Sequence, residues 1–405
     1  MTPYRLPRFL SLGNLSFALL FVTALGVNLS RGAERANFDA LTHSGWEHFY
    51  SLEYDLALKD FEKALEERPD DAAAVNHVLD AVLYRELYKF NALDTRLYAK
   101  QGFIFSKHVP MDSAVKGRIK DLSERALSLS DNRLKSNPRD PEALFNRGIT
   151  EGLRSTYLVI VEHSWFGALR WGLAARRDHE QVLKLRPDMA DAKTVVGVHN
   201  FVVGSLTRPV RVMAGAAGIH GDKNKGLQML ADAGKAGGET STDARVALAL
   251  FLRREGRYQE AMGVVHTLTR DHPRNFLFAL EEGNLLVAAG KDSDAEKSVH
   301  HLLTLSNEGK YPNAHLEMAY FTLGQTQQAQ GKLKDALAAF ESAADSSTSP
   351  PDDRQRALLA AGEVSDLMAK RQDALVEYRA AIALNGATEE AQLARKYLDK
   401  PYKGN

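Results

Sequence analysis

The side chains of this chain that are best suited to chemistry are histidines next to carboxylates, and none has the spacing of a catalytic motif. His179 and Glu180 begin like the HExxH motif of zinc proteases, but no second histidine follows at the required position. His300 and His301 point to different faces of a helix, so they cannot bind one metal together. GxSxG, P-loop and GxGxxG motifs are also absent. The sequence predicts no enzyme, no metal site and no cofactor, with an enzyme built on His179, Glu180 and Arg176 as an alternative.

Residues 151–222 are the other place where side chains could recognise a ligand, because aromatic residues are concentrated there. Trp165 and Trp171 stand beside Phe166 and His163. The charged residues near them are Arg176, Arg177, Asp178, His179 and Glu180. One interpretation is a groove lined by aromatic rings. The other is that the aromatic residues pack a long helix hairpin and the charged group is its solvated face.

An apolar, glycine-rich stretch covers residues 194–219. Arg208 and Arg211 divide it, so neither half reaches the roughly 20 residues that span a membrane as a helix. It could form a buried helix pair or a surface that rests on a membrane. His199 and Asn200 would be costly in lipid, which favours the buried pair.

The elements that must position these side chains are indicated by a spacing that recurs along the chain. It is clearest at Ala57, Phe61, Ala64 and Pro69. Small residues let two antiparallel helices cross closely, the bulky residue fills the groove between them, and proline stops the second helix. Further copies begin at Ala126, Ala175, Gly226, Ala261, Ala295, Ala336 and Ala374. The spacing predicts about eight helix pairs.

This spacing resembles the second half of the tetratricopeptide repeat (TPR), A-x3-F-x2-A-x4-P, and Gly45 and Tyr54 supply parts of the first half. The matching small position of other pairs holds Gly148, Gly283, Gly324 and Gly362. The resemblance implies an all-α, TPR-like α-solenoid of about eight antiparallel helix pairs, closed by a C-terminal capping helix over residues 389–402. Solenoids of this kind usually work as binding surfaces.

A second resemblance covers residues 150–310. There the chain is similar to the mitochondrial outer-membrane inclusion-clearance TPR family, through Gly221 and Asp222 at the start of a helix. Asp222 suits a helix N-cap because its carboxylate can accept hydrogen bonds from the first turn. A similarity to exported bacterial TPR proteins covers nearly the whole chain. Neither family supplies a catalytic residue, so the resemblance implies a scaffold.

The repeats are regular in the carboxyl half and stretched in the amino half. Residues 71–98 are predicted to form one long helix with few breakers. Residues 99–115, which include Gly102, Pro110 and Ser113, are predicted to be a connector.

The concave face of a TPR stack comes mainly from the first helix of each pair, and here it is predicted to be mixed aromatic and polar. The candidate partner-binding residues are Trp46, Tyr50, Trp165, Trp171, Arg253, Arg254, Asn284, Phe321 and Gln325. TPR modules that clamp a C-terminal carboxylate resemble one another in paired Lys and Asn on adjacent first helices. That set is missing, so chaperone-tail binding of that type is not expected.

Charge and cysteine content exclude some functions. Lys plus Arg and Asp plus Glu both number 52, so no net field attracts nucleic acid. The chain has no cysteine, which excludes disulfides and thiol chemistry. Arg5 and Arg8 precede an apolar run over residues 15–27 and a small-residue region, the layout of a secretory signal. Residues 1–33 are therefore predicted to be a cleaved signal peptide or an uncleaved N-terminal anchor.

The sequence predicts four parts. They are the signal or anchor over residues 1–33, elongated TPR-like repeats over 34–140, irregular helical repeats with an apolar hairpin over 141–240, and regular repeats with the capping helix over 241–405. The predicted function is a non-catalytic exported scaffold, in the bacterial periplasm or envelope, that binds a protein or peptide through its concave face. The alternative is an envelope-associated protein that binds lipid or an apolar ligand through residues 151–222, with peripheral membrane contact.

Overall fold

The computed structural model describes residues 37–99 and 109–404. The predicted signal or anchor over residues 1–33 and part of the predicted connector, including Gly102, lie outside these ranges. Within them, every regular element is a helix. The amino-terminal ten are α1 (37–50), α2 (Tyr54–Glu67), α3 (Ala72–Lys89), α4 (Thr95–Ala99), α5 (Ser113–Ser136), α6 (Pro141–Ile160), α7 (Trp165–Leu185), α8 (Ala192–Gly204), α9 (Arg208–Ala216) and α10 (Lys223–Ala236). The others are α11 (Ser241–Arg254), α12 (Tyr258–Asp271), α13 (Phe276–Ala288), α14 (Asp292–Asn307), α15 (Leu316–Ala329), α16 (Leu333–Asp345), α17 (Pro351–Leu367), α18 (Arg371–Leu384) and α19 (Glu389–Asp399).

Across the described ranges these helices form eight antiparallel pairs. The pairs are α1 with α2, α3 with α5, α6 with α7, α8 with α10, α11 with α12, α13 with α14, α15 with α16, and α17 with α18. The last helix, α19, packs on α18 and α17 as a cap. The predicted all-α solenoid of about eight pairs with a capping helix is confirmed.

The buried face of α2 illustrates why the repeat spacing forms a helix pair. Its buried residues recur every three or four positions, which places them on one side of a helix. They are Tyr54, Ala57, Leu58, Phe61 and Ala64. The Phe61 ring lies against Gly45 of α1, where a Cβ would collide with it. Close approach at a glycine therefore sets the crossing of the two helices.

The same contact recurs in the regular pairs sixteen residues apart in sequence. A Cβ on Gly283, Gly324 or Gly362 would meet a side chain at 2.8, 2.6 or 2.5 Å. The side chains are those of Val299, Phe340 and Tyr378 respectively. In the turns between the paired helices, Gly256, Gly290 and Gly331 have positive φ angles of 74°, 69° and 74°. Glycine thus serves both the close approach of paired helices, as predicted, and the turns between them.

The amino half is stretched for two reasons. The α6 and α7 helices have 20 and 21 residues, against 14 in each of α11 and α12. The α9 helix is inserted between the two members of the α8–α10 pair. Within that pair, Asp222 caps α10 by accepting a hydrogen bond from the Lys225 backbone N–H at 2.9 Å, as predicted.

The prediction of one helix over residues 71–98 is wrong. The α3 helix ends at Lys89, a turn follows, and α4 begins at Thr95. Asn91 adopts a left-handed backbone with φ 54°, a conformation that asparagine tolerates at the end of a helix. The Asp94 carboxylate accepts a hydrogen bond from the Arg96 backbone N–H at 2.9 Å, as an N-cap does.

The largest hydrophobic cluster joins distant parts of the chain. It combines Phe49, Leu79 and Leu87 from the first three helices with Phe276 and Met318 from α13 and α15. A plain stack in which each pair contacts only its neighbours would not bring these residues together. The superhelix therefore curves far enough for its amino-terminal pairs to enter its own concave side.

Among the described helices, none has both the length and the apolar character needed to cross a membrane.

Candidate functional site

The concave face of the carboxyl half is formed by α11, α13, α15 and α17, the first helices of four successive pairs. Their inward side chains line one continuous groove, which we call the inner groove. Its lining residues are Arg253, Glu281, Asn284, Glu317, Phe321, Thr322 and Asp353. All seven are buried, although most are polar or charged. Buried polar groups require partners, so something must fill this groove.

The groove is filled by the chain's own turn between α3 and α4 together with the first four residues of α4. We call residues 90–98 the plug. The turn is held together internally, because the Tyr98 hydroxyl donates to the Ala92 carbonyl at 2.6 Å and the Arg96 guanidinium lies 2.8 Å from the Asp94 carboxylate. Asn91 and Asp94 are 2% and 3% exposed, so the centre of the plug is buried as deeply as the core.

The amino-terminal side of the plug binds α15 and α17. The Asn91 side-chain amide donates to Glu317 and to Asp353, both at 3.0 Å. The Tyr88 hydroxyl, just before the plug, donates to the Asn313 carbonyl at 2.5 Å. These partners lie more than 220 residues away in sequence.

The carboxyl-terminal side of the plug binds α11, α13 and α15. The Thr95 hydroxyl donates to Glu281 and accepts from the Arg253 guanidinium, the latter at 3.0 Å. Arg253 and Glu281 form a buried ion pair at 2.9 Å. The Arg96 guanidinium donates to the Thr322 hydroxyl at 2.8 Å. The plug thus contacts all four first helices that form the groove.

A second insertion, the turn between α1 and α2, lies beside the plug. The Tyr50 hydroxyl donates to the Asp243 carboxylate of α11 at 3.1 Å, and its carbonyl accepts from the Asn275 amide at 2.7 Å. Arg274 pairs with Glu53 of the same turn. Both amino-terminal turns therefore tie the first pairs to the middle of the solenoid.

The structure brings four of the predicted partner-binding residues to this interior. Tyr50, Arg253, Asn284 and Phe321 are 9%, 9%, 3% and 9% exposed, and each contacts other parts of the chain. Phe321 lies under the Arg96 and Arg356 guanidinium groups at 5.5 and 4.7 Å. A partner could reach these side chains only by displacing the amino-terminal insertions.

The other predicted residues lie elsewhere. Trp46 is partly buried in a cluster of rings, stacked on Tyr50 at 5.7 Å. Arg254 and Gln325 are exposed. Trp165 and Trp171 lie on α7, and the Arg154 guanidinium covers the Trp171 ring at 4.6 Å.

Burial and hydrogen bonding act in opposite directions on the carboxylates of the groove. Burial alone would raise the pKa of Glu317, but hydrogen bonds from His315, Asn91 and Thr348 hold that pKa at about 2. Burial likewise opposes ionisation of Asp94, and the adjacent Arg96 outweighs it, so the pKa of Asp94 lies below its usual value. For Glu281, burial outweighs Arg253 and the pKa is raised.

Asp243 is a pH-sensitive group at the junction with Tyr50. Burial, and then the nearby Glu239 and Asp191 charges, raise the pKa of Asp243 to about 7, against the hydrogen bond from Tyr50 that lowers it. Between pH 4 and 7 the folded chain therefore binds a proton that the unfolded chain does not. The contribution of Asp243 to the free energy of unfolding therefore increases as the pH falls through 7.

We expect Asp243→Asn to raise the free energy of unfolding at pH 8 by about 2 kcal/mol. A shift of about three pKa units corresponds to about 4 kcal/mol, and we halve it because Asp243 keeps some contact with water. At pH 4.5 the variant and the wild type should nearly coincide, since both side chains are then neutral in the folded state. Urea unfolding of both proteins at the two pH values tests this, and an equal gain at both would contradict it.

The histidine of the enzyme alternative is a packing residue in this fold. His179 is fully buried, and its ring fills the bulky position opposite Gly148 in the α6–α7 pair. Its Nδ1 lies 2.8 Å from the Ala175 carbonyl, and burial lowers its pKa to about 4. No group of three or more His, Asp or Glu side chains in the described ranges could hold a metal ion.

For residues 151–222, the interpretation of a packed helix hairpin with a solvated charged face holds only in part. The α6 and α7 helices form a long hairpin, but Asp178 and His179 are buried in it, and Arg147 makes a two-pronged contact with Asp178. In the apolar stretch, α8 is largely buried, whereas α9 has no buried residue. Phe166 at the start of α7 is 89% exposed.

Sequence reasoning missed the acidic side of the groove and the plug itself. Glu281 lies three residues before Asn284, and Glu317 lies four residues before Phe321, so each shares a helix face with a predicted residue. That spacing could have identified the acidic groups. The break between α3 and α4 could have been recognised from Asn91, a residue that often ends a helix, and from Asp94, a residue that often caps the start of one.

Comparisons with known proteins give structural likeness only. No protein-family model matches the sequence, and a search of curated proteins finds no match. Among solved structures, a tetratricopeptide repeat protein from Parabacteroides merdae is 14% identical, covering 76% of this chain and 92% of its own, with a TM-score of 0.34. Yeast Tom70 is 13% identical, with 95% of each chain covered and a TM-score of 0.42. YrrB, a TPR protein with an unusual peptide-binding site, is 16% identical, covering 66% of this chain and 97% of its own, with a TM-score of 0.31.

At such identities the likeness concerns the fold alone, and the assignment here rests on the chain's own helix pairs. In six of the eight pairs a glycine of one helix lies against a bulky side chain of the other, and a capping helix ends the stack. In the ranges that the structure describes, this chain is an all-α solenoid of TPR-like helix pairs.

Proposed function

We propose that this chain is a non-catalytic protein-binding scaffold whose inner groove takes a short polar turn from a partner. The observation that supports the proposal is the plug, a turn of the chain's own that is already bound there. It contacts four successive first helices through a side-chain amide, a hydroxyl and a guanidinium. A groove that binds one such turn has the donors and acceptors to bind another.

The chemistry of the groove defines the partner segment. Glu317 and Asp353 accept from an amide, and the Arg253 and Glu281 pair meets a hydroxyl. A partner segment of this type would carry Asn, Thr and Arg at a spacing like that of the plug. The plug keeps the groove closed until such a segment competes for it.

A partner segment must bind the groove tightly enough to displace the plug, which is tethered to it. A segment attached by a short link has an effective concentration in the mM range, so a free peptide of equal intrinsic affinity competes poorly. Weakening the plug should therefore reveal binding that the wild type hides.

The test compares the full chain with the variant Asn91→Ala/Arg96→Ala, using a labelled peptide of residues 86–99 and fluorescence anisotropy. We expect the variant to bind the peptide and the wild type to show little binding. A peptide with the same two substitutions should bind at least about tenfold more weakly, because it lacks the amide and guanidinium contacts. Arg186→Ala, which alters an exposed ion pair with Asp188 outside the groove, is the matched control.

Circular dichroism separates loss of fold from loss of binding. A folded variant that binds no peptide up to about 1 mM would contradict the proposal, since that is the scale of the tether's effective concentration. In that case the plug would serve only to close the fold.

The proposal places the scaffold outside the cytoplasm. Its support is the sequence pattern of residues 1–33, where two arginines precede an apolar run. Determination of the mature amino terminus from the native host tests export and separates a cleaved signal from an anchor.

A further inference from the structure

We propose that the exposed side of α9, together with the first turn of α7, docks on an anionic lipid surface. This function is independent of the inner groove, which lies on other helices. It rests on three observations: apolar side chains that point outward, the absence of acidic residues from both segments, and contacts that join α7 to α8 and to the segment after α9.

The α9 helix is amphipathic with its apolar face outward. Val212 and Met213 are each 72% exposed, and Val210 is 48% exposed. Pro209, Val212, Met213 and Ala216 follow a spacing of three and four residues, so they share one face. None of the nine residues of α9 is buried. A helix in a folded protein normally turns such a face inward.

The start of α7 shows the same arrangement. Phe166 is 89% exposed, Leu169 is 49% exposed and Trp165 is 36% exposed. Large rings at the tip of a helix are typical of groups that enter the boundary between lipid headgroups and acyl chains.

The two elements belong to neighbouring parts of the fold. The Arg176 guanidinium of α7 is 2.7 Å from His199 of α8, and it donates to the His220 carbonyl after α9 at 3.3 Å. From that junction α7 extends back about 15 Å to Phe166, at 1.5 Å per residue. The antiparallel α8 extends the same way to Gly204, where the link to α9 begins.

The charges around the apolar side chains indicate which kind of surface they would contact. Residues 163–177 and 192–221 contain no Asp or Glu, although the whole chain is balanced at 52 of each sign. Arg170, Arg208 and Arg211 are exposed among the apolar side chains. Basic groups next to protruding apolar ones fit an anionic membrane surface, where each arginine adds attraction. A protein partner would more often receive such anchors in pockets, and here they protrude.

The experiment exploits the absence of cysteine in the full chain. Met213→Cys and Phe166→Cys are labelled with an environment-sensitive fluorophore and mixed with phosphatidylcholine vesicles, with or without phosphatidylglycerol. The matched control is Val376→Cys on α18, another exposed apolar position at 61%. We expect a blue shift for the two test positions with anionic vesicles only, and none for the control. Because the readout is local, vesicle contact by residues 15–27 does not imitate it.

Vesicle flotation of further variants measures the strength of docking. Val212→Glu/Met213→Glu should lower the partition coefficient by at least about tenfold, because apolar burial is lost and like charge is added. Arg170→Ala and Arg208→Ala should each lower it about fivefold, and raising the ionic strength from about 0.1 to 1 M should weaken docking further. Val376→Glu should have no effect.

Three results would each overturn the proposal. They are no shift at Met213 with anionic vesicles, an equal shift at Val376, and an equal shift with neutral vesicles. A concentration-dependent dimer in sedimentation that Val212→Glu abolishes would also overturn it, because the face would then serve a second copy of this chain.

Discussion

Replacing Arg253 by Met is expected to lower the free energy of unfolding by about 3–5 kcal/mol, the usual cost of removing one partner from a buried ion pair. Arg253 and Glu281 are both almost fully buried, since only 8% and 7% of their side-chain surfaces are exposed. Without Arg253, the Glu281 carboxylate loses its counter-ion, and Thr95 of the plug loses a donor. The measurement is urea unfolding at pH 7.

The double variant Arg253→Met/Glu281→Met should recover much of that loss, because no buried charge is left unpaired. Hydrogen exchange of residues 90–98 should show faster opening of the plug in the single variant than in the double. Arg257→Met, at an exposed pair with Glu260, is the control and should change little. Equal losses in the single and double variants would show that the buried charge is not the cause.

Replacing Phe340 by Ala is expected to lower the free energy of unfolding by about 3–5 kcal/mol. Phe340 is 1% exposed, and its ring fills the crossing of α15 and α16 against Gly324. Its removal leaves a cavity that rigid helices cannot close fully. Val376→Ala, at an exposed position, is the control for the loss of an apolar side chain.

Gly324→Ala tests the same crossing from the other helix. A new Cβ would lie 2.6 Å from the Phe340 ring, so we expect a loss of about 1–3 kcal/mol despite the better helix propensity of alanine. At Gly263 of α12 the space around a Cβ is open, and Gly263→Ala should gain up to about 1 kcal/mol. Denaturant unfolding of both variants decides the matter, and a stabilising Gly324→Ala would refute the role of close approach.

The fold was predictable because its information is local. Small, bulky and turn residues recur at short, regular intervals, and helix pairs such as α15 with α16 form from residues sixteen apart. The error over residues 71–98 was also local. Apolar residues there suggested one helix, while Asn91 and Asp94 marked a stop and a new start.

The candidate site was predictable only in part. Arg253, Asn284 and Phe321 were assigned to the concave face from their positions in the first helices, and the structure places all three in the inner groove. What fills the groove was not predictable from the repeats. The repeat pattern predicts contacts between neighbouring pairs only, whereas Asn91 and Asp353 form a hydrogen bond although they are 262 residues apart in sequence.

The amino-acid sequence by itself determined the helix pairs, their turns and their crossings, because each depends on residues close together in the chain. Only the tertiary structure decided that the concave face is closed by the plug and that α9 turns its apolar face outward. The groove is closed because curvature accumulates over eight pairs, and the apolar face of α9 is exposed because this inserted helix does not belong to a pair. Neither feature is encoded in the spacing of any single repeat.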